Sequence, residues 1–123
     1  MNPYSRNLLP NCESAIIENS KLTEYALNPD SDTGTHKARV FQSALGFNLT
    51  NWQLLKQAIL DMLPQHEAQF KSETIFGKKY TVELSITGPN GNTVPVLTAW
   101  QFDRRPDGTL SEVPRLVTLY ITD

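Results

Sequence analysis

His36, Lys37 and Arg39 are the part of this sequence best suited to chemistry. They follow Gly34 and Thr35 and precede Val40 and Phe41, which puts them in the first turn of an amphipathic helix. At about 100° per residue, Lys37 falls among Val40, Phe41 and Ala44, inside the apolar stripe. An ammonium there loses hydration unless an anion or an oxygen meets it, or its stem carries it around the helix end to water. A first-turn cation also opposes the helix dipole, which favours an anionic ligand instead. With the free backbone N–H groups, the three side chains have the makings of a phosphate site. The plainer reading is a snorkelling lysine between two solvated neighbours.

A second group of candidates lies in strand-like sequence. Thr98 and Trp100 share the alternation of Val94 and Val96, and Thr118 and Tyr120 that of Leu116. If these rows meet Lys37, the hydroxyls of Thr98, Thr118 and Tyr120 can bind phosphate and Trp100 can stack a base. Otherwise Thr98 is a hydrogen-bonded core hydroxyl and Trp100 is core. One bulge would invert either parity. The remaining polar features carry less. Arg104 and Arg105 read as a solvated loop, and His66 has no visible partner. Asp30 and Asp32 are half of a calcium loop without the rest, and Glu73 and Glu83 form no acid pair. Two His and one Cys do not supply a zinc site, and no nucleotide, metalloprotease or nucleophile-elbow motif appears. No metal or cofactor is expected.

The elements that must position these residues follow from periodicity. Residues 20–27 read as a short helix capped by Ser20, with Leu22, Tyr25 and Ala26 on one face. A second helix runs from Thr35, its cap, to Gly46, with Val40, Phe41, Ala44 and Leu45 as its stripe. A third, capped by Thr50, carries Trp52, Leu55, Ile59 and Met62 or Leu63, and ends at Pro64. The period then changes to two. Tyr80, Val82, Leu84 and Ile86 mark a half-buried strand, and Gly88 to Asn92 a hairpin turn. The return strand covers about 93–102 and the last strand about 114–122. In the last strand Val117, Leu119 and Ile121 share one face, and Leu116, Thr118 and Tyr120 the other. Residues 70–76 offer a further strand. This order predicts an α+β fold, with about three N-terminal helices packed on one face of a three- to four-stranded antiparallel sheet. Residues 1–7 read as a flexible tail and 8–123 as one domain.

Composition sets outer limits. The chain has 123 residues, 39% of them apolar, and a formal charge of −2, so net charge draws it to neither nucleic acid nor anionic membrane. It has no apolar run long enough to span a membrane, and residues 1–10 do not form a secretory signal. Cys12 is the lone cysteine, and a reducing cytoplasm is the expected location.

The order of several short motifs is also distinctive. Leu9-Pro10-Asn11, Leu27-Asn28-Pro29-Asp30, Gly34-Thr35-His36-Lys37-Ala38-Arg39-Val40-Phe41 and Ala44-Leu45-Gly46 resemble an uncharacterised bacterial and cyanobacterial domain family. The Thr87-Gly88-Pro89-Asn90-Gly91 turn, Thr98-Ala99-Trp100 and Pro114-Arg115-Leu116-Val117-Thr118 fit it too, so the resemblance covers about 8–121. Domains of that kind occur as C-terminal modules of polymorphic toxins and phage proteins, and as small proteins beside a possible antitoxin. Their layout is similar to the barnase, EndoU, colicin and RelE group of ribonucleases. The resemblance implies a toxin-like, metal-independent endoribonuclease that uses the 2′-hydroxyl of RNA as nucleophile. It implies His36, Lys37, Arg39, Thr118 and Tyr120 as catalytic residues and Thr98, Trp100 and Arg115 as substrate-binding ones. The implied partners are RNA and a cognate antitoxin or immunity protein. Ser31 and Asp32 stand where His-Pro is frequent, which loosens any role for that loop. The alternative is a non-catalytic protein-binding module, such as an immunity, adaptor or structural domain. A small-molecule site at Lys37 is a third reading.

Overall fold

The computed structural model describes residues 7–30 and 35–122. Residues 1–6, 31–34 and 123, and the side chain of the expected cap Thr35, lie outside the described residues, and with them most of the expected tail 1–7 and Asp32. Two helices, α1 (Thr35–Leu45) and α2 (Trp52–Met62), follow the apolar stripes. Phe41 and Leu45 of α1, and Leu55 and Ile59 of α2, are fully buried. A spacing of four places each pair on one helical face.

The helices cover a four-stranded antiparallel sheet in sequential order. Its strands are β1 (Ala68–Thr74), β2 (Gly77–Thr87), β3 (Thr93–Asp103) and β4 (Arg115–Ile121). Val82, Leu84 and Ile86 of β2 and Val96, Thr98, Trp100 and Phe102 of β3 form the buried rows. Glu83, Ser85 and Thr87 of β2 point to the exposed side. The α+β architecture is therefore the expected one: helices first, on one face of an open antiparallel sheet.

The last strand departs from simple alternation. Ala99 pairs with Thr118 but Trp100 pairs with Leu116, so Val117 is an extra residue and β4 bulges there. Leu116 and Leu119 would have opposite parity in a regular strand, yet both are buried. The expected separation of Leu116 from Leu119 is thus corrected, and Val117 and Thr118 occupy the bend between two core residues.

The β2–β3 turn holds the far end of α1. Gly46, at φ 86°, closes the helix with an N–H bond to the Gln42 carbonyl at 2.9 Å. The Asn90 N–H donates to the Leu45 carbonyl, and the Asn90 and Asn92 side-chain amides both donate to the Ala44 carbonyl. Gly88 lies so close that a β-carbon would stand 2.0 Å from the Leu45 oxygen.

Two expected caps are replaced. Helical backbone begins before Ser20, which makes no side-chain cap, and Lys21–Ala26 forms a π-turn in which the Leu27 N–H reaches the Leu22 carbonyl. Thr50 bonds Asn48 instead of capping α2, which follows Asn51. Ahead of these elements, the N-terminal segment ties down both sheet edges. The Ala68 N–H donates to the Asn7 carbonyl, and Ile16 exchanges backbone bonds with Pro114 and Leu116. Leu9, Cys12 and Ile17 are buried on the way, and burial pushes the Cys12 thiol pKa up. Among the described residues, no helix is long and apolar enough to cross a membrane.

Candidate functional site

Lys37 occupies the junction of three elements. Its Nζ donates to Thr118 Oγ1 of β4 at 2.9 Å and lies 4.5 Å from the centre of the Tyr25 ring in the π-turn. The side chain is half-buried, and among the described residues no carboxylate pairs with it. Helical phase explains the position: Lys37 precedes Phe41 by one turn and points down the same side. A hydroxyl oxygen and an aromatic face offset part of its lost hydration. Lys37 therefore does not simply snorkel into water.

Tyr25 completes the group, and sequence reasoning treated it only as part of a helix face. The Lys37 ammonium beside it is the largest cause holding its phenol below the usual tyrosine pKa. Burial acts the other way, while the charge of Lys37, the Thr118 hydroxyl and the charge of Lys21 favour the phenolate. Without the π-turn and the β4 bulge, nothing in the sequence aimed it at Lys37.

The other candidates are distributed unevenly. His36 and Arg39 are exposed on the same helix start, and Arg39 borders a groove with Leu27, Pro29, Ala38 and Gln42. Tyr120 is exposed two residues beyond Thr118 and paired with Leu97. Arg115 is held by Asp103, which accepts from Nε and Nη2 at 2.9 Å each, with Glu18 nearby at 3.9 Å. That contact keeps the Asp103 carboxyl below the usual carboxylate range.

Thr98 and Trp100 are not brought to Lys37. Both are fully buried: the Thr98 hydroxyl donates to the Val82 carbonyl at 2.7 Å and accepts from Trp100 Nε1 at 2.8 Å. A ring enclosed in this way presents no open face in this structure. His66, unassigned from sequence, bridges elements: its Nδ1 lies 3.0 Å from the Met62 carbonyl and its Nε2 accepts from the Ser85 N–H. Among the described residues, no cluster of three or more His, Cys, Asp or Glu side chains could hold a metal ion.

A domain family described as a domain of unknown function (DUF6883) matches residues 8–123. The chain belongs to this family. None of the curated proteins matches it. Among solved structures, a chain from a contact-dependent growth inhibition toxin–immunity protein complex of Klebsiella pneumoniae 342 is similar. The TM-score is 0.62 at 12% identity, covering 91% of this chain and 97% of that one. At such identity the likeness is one of fold. The DUF6883 match includes the Lys37 helix and the Thr118 strand.

Proposed function

We propose that this DUF6883 domain is a toxin-like endoribonuclease of the cytoplasm, acting on RNA phosphodiesters through the 2′-hydroxyl without a metal. The observation that carries the reading is Lys37, a half-buried cation bonded to Thr118 with no carboxylate partner among the described residues. A phosphate oxygen can replace the threonine oxygen as its acceptor. The phosphorane needs cations, an acid and a base. Lys37 and Arg39 would stabilise its charge, and Thr118 and Tyr120 would position the phosphate. His36 would act as acid or base. Arg115 is committed to Asp103 and supports β4, while Thr98 and Trp100 contribute packing.

The test is cleavage of RNA by the purified protein in EDTA. Wild type should cut, and Lys37→Ala should be slower by about 10²–10³-fold, the usual cost of losing a group that stabilises developing charge. Equal cleavage by the variant, or none by wild type at high concentration, would sink the reading.

A second reading is a non-catalytic immunity or adaptor module. Two observations favour it: the charge of −2, unusual for a protein that grips a polyanion, and a fold shared with a chain from a toxin–immunity complex. Expression in a host without its neighbouring gene separates the two. A ribonuclease toxin impairs growth in a Lys37-dependent way, and an immunity module does not.

A further inference from the structure

We propose that Tyr25 is the base at this site, accepting the proton of the RNA 2′-hydroxyl; this rests on the ribonuclease reading. Among the described residues, the side chains against the Lys37 ammonium are Tyr25 and Thr118. An ammonium in its charged form cannot accept a proton, and a threonine hydroxyl does not ionise near neutral pH. The phenol can lose its proton and take one back.

The local fold serves that role. Leu22 and Ala26 of the π-turn are fully buried and anchor it, while Tyr25 between them is only half-buried. The wide turn, closed by the Leu27-to-Leu22 bond, leaves Tyr25 at the seam between α1 and β4. Insertions of this kind are frequent at functional positions. The groups facing the phenol are Lys37 from α1, Thr118 from β4 and Lys21 from its own turn. All three favour the phenolate, and burial opposes them.

The step balances as follows. The Tyr25 phenolate oxygen takes the 2′-hydroxyl proton as the O2′–P bond forms. The P–O5′ bond breaks, and the 5′-oxygen leaves with a proton from His36, which takes one back from solvent. The products are a 2′,3′-cyclic phosphate and a 5′-hydroxyl. Tyr25 then returns its proton to solvent.

Two measurements on the intact chain test this. The first is ultraviolet titration of tyrosinate across about pH 7–11. Of the four tyrosines, one should ionise ahead of the others; Tyr25→Phe should remove that component and Lys37→Met should move it upward. An early component that persists in Tyr25→Phe overturns the proposal. The second is the rate–pH profile on single-stranded RNA. Tyr25→Phe should lower kcat by about 10²–10⁴-fold with KM nearly unchanged, and should lose the profile's base limb. Cleavage within about threefold of wild type overturns the assignment of Tyr25 alone, since loss of a general base costs far more. No cleavage by wild type overturns the ribonuclease reading and this one with it.

Discussion

At the residue scale, opposite charges alone would have drawn attention to Arg115, yet the structure makes it a strut. Its two contacts with Asp103 tie the start of β4 to the end of β3. Depression of the Asp103 pKa below the ordinary 3.8 has a defined consequence for stability. The folded state holds the carboxylate more tightly than the unfolded chain does. Its contribution is complete above the unfolded pKa and is lost as pH falls through the lower, folded value. Asp103→Asn should therefore be less stable than wild type at neutral pH by about 1 kcal/mol or less, because the pair is partly exposed. The gap should close below about pH 4, as read by urea melts at several pH values. A constant gap would mean that packing and not ionisation links the strands. The contrast with Lys37 was partly legible in the sequence. Its place in an apolar stripe was visible, and so was the row of Thr98. What Thr98 and Trp100 bond to was not, because alternation gives a face and no partner; they found each other.

At the element scale, α1 is located by contacts at both ends. Lys37 meets β4 and the π-turn at one end, and the β2–β3 turn takes the Ala44 and Leu45 carbonyls at the other. Gly88 is the tightest point of that second junction, since an added β-carbon would have to displace the helix end or the turn. Gly88→Ala should lower stability by about 1–3 kcal/mol, the cost of overpacking. By tilting α1 it should also weaken the remote Lys37–Tyr25 contact, so that the early tyrosine ionisation moves upward. A destabilised variant with an unchanged tyrosine titration would show that the turn braces the fold without setting the site. Gly46 and the Asn-Gly turn were readable because positive φ angles select those residue types. The bulge at Val117 and the π-turn were not. Each adds one residue without a distinctive side chain, and Ser20 carries a cap's chemistry inside a helical turn. The site lies where these two irregularities meet, so its membership was the part least accessible to periodicity.

At the scale of the whole molecule, a net charge of −2 must be reconciled with binding a polyanion. Of the cations, Arg104 is paired with Glu73 and Arg115 with Asp103, which removes them from any general field. The cations of the proposed contact surface at the start of α1 are Lys37 and Arg39. Affinity for single-stranded RNA falls with salt in proportion to the phosphates neutralised, with a log–log slope of about −0.7 per contact. About two contacts give a slope near −1.4, far shallower than for a protein with an extended basic groove. Fluorescence anisotropy of a short labelled RNA, measured over a range of salt with a catalytically slowed Tyr25→Phe chain, reads that slope directly. Lys37→Ala should make it shallower by roughly one contact, about 0.7. A steep slope that Lys37→Ala leaves untouched would place RNA on another surface, such as the lysines of β1 and β2. Absence of RNA binding at low salt would instead favour the immunity or adaptor reading.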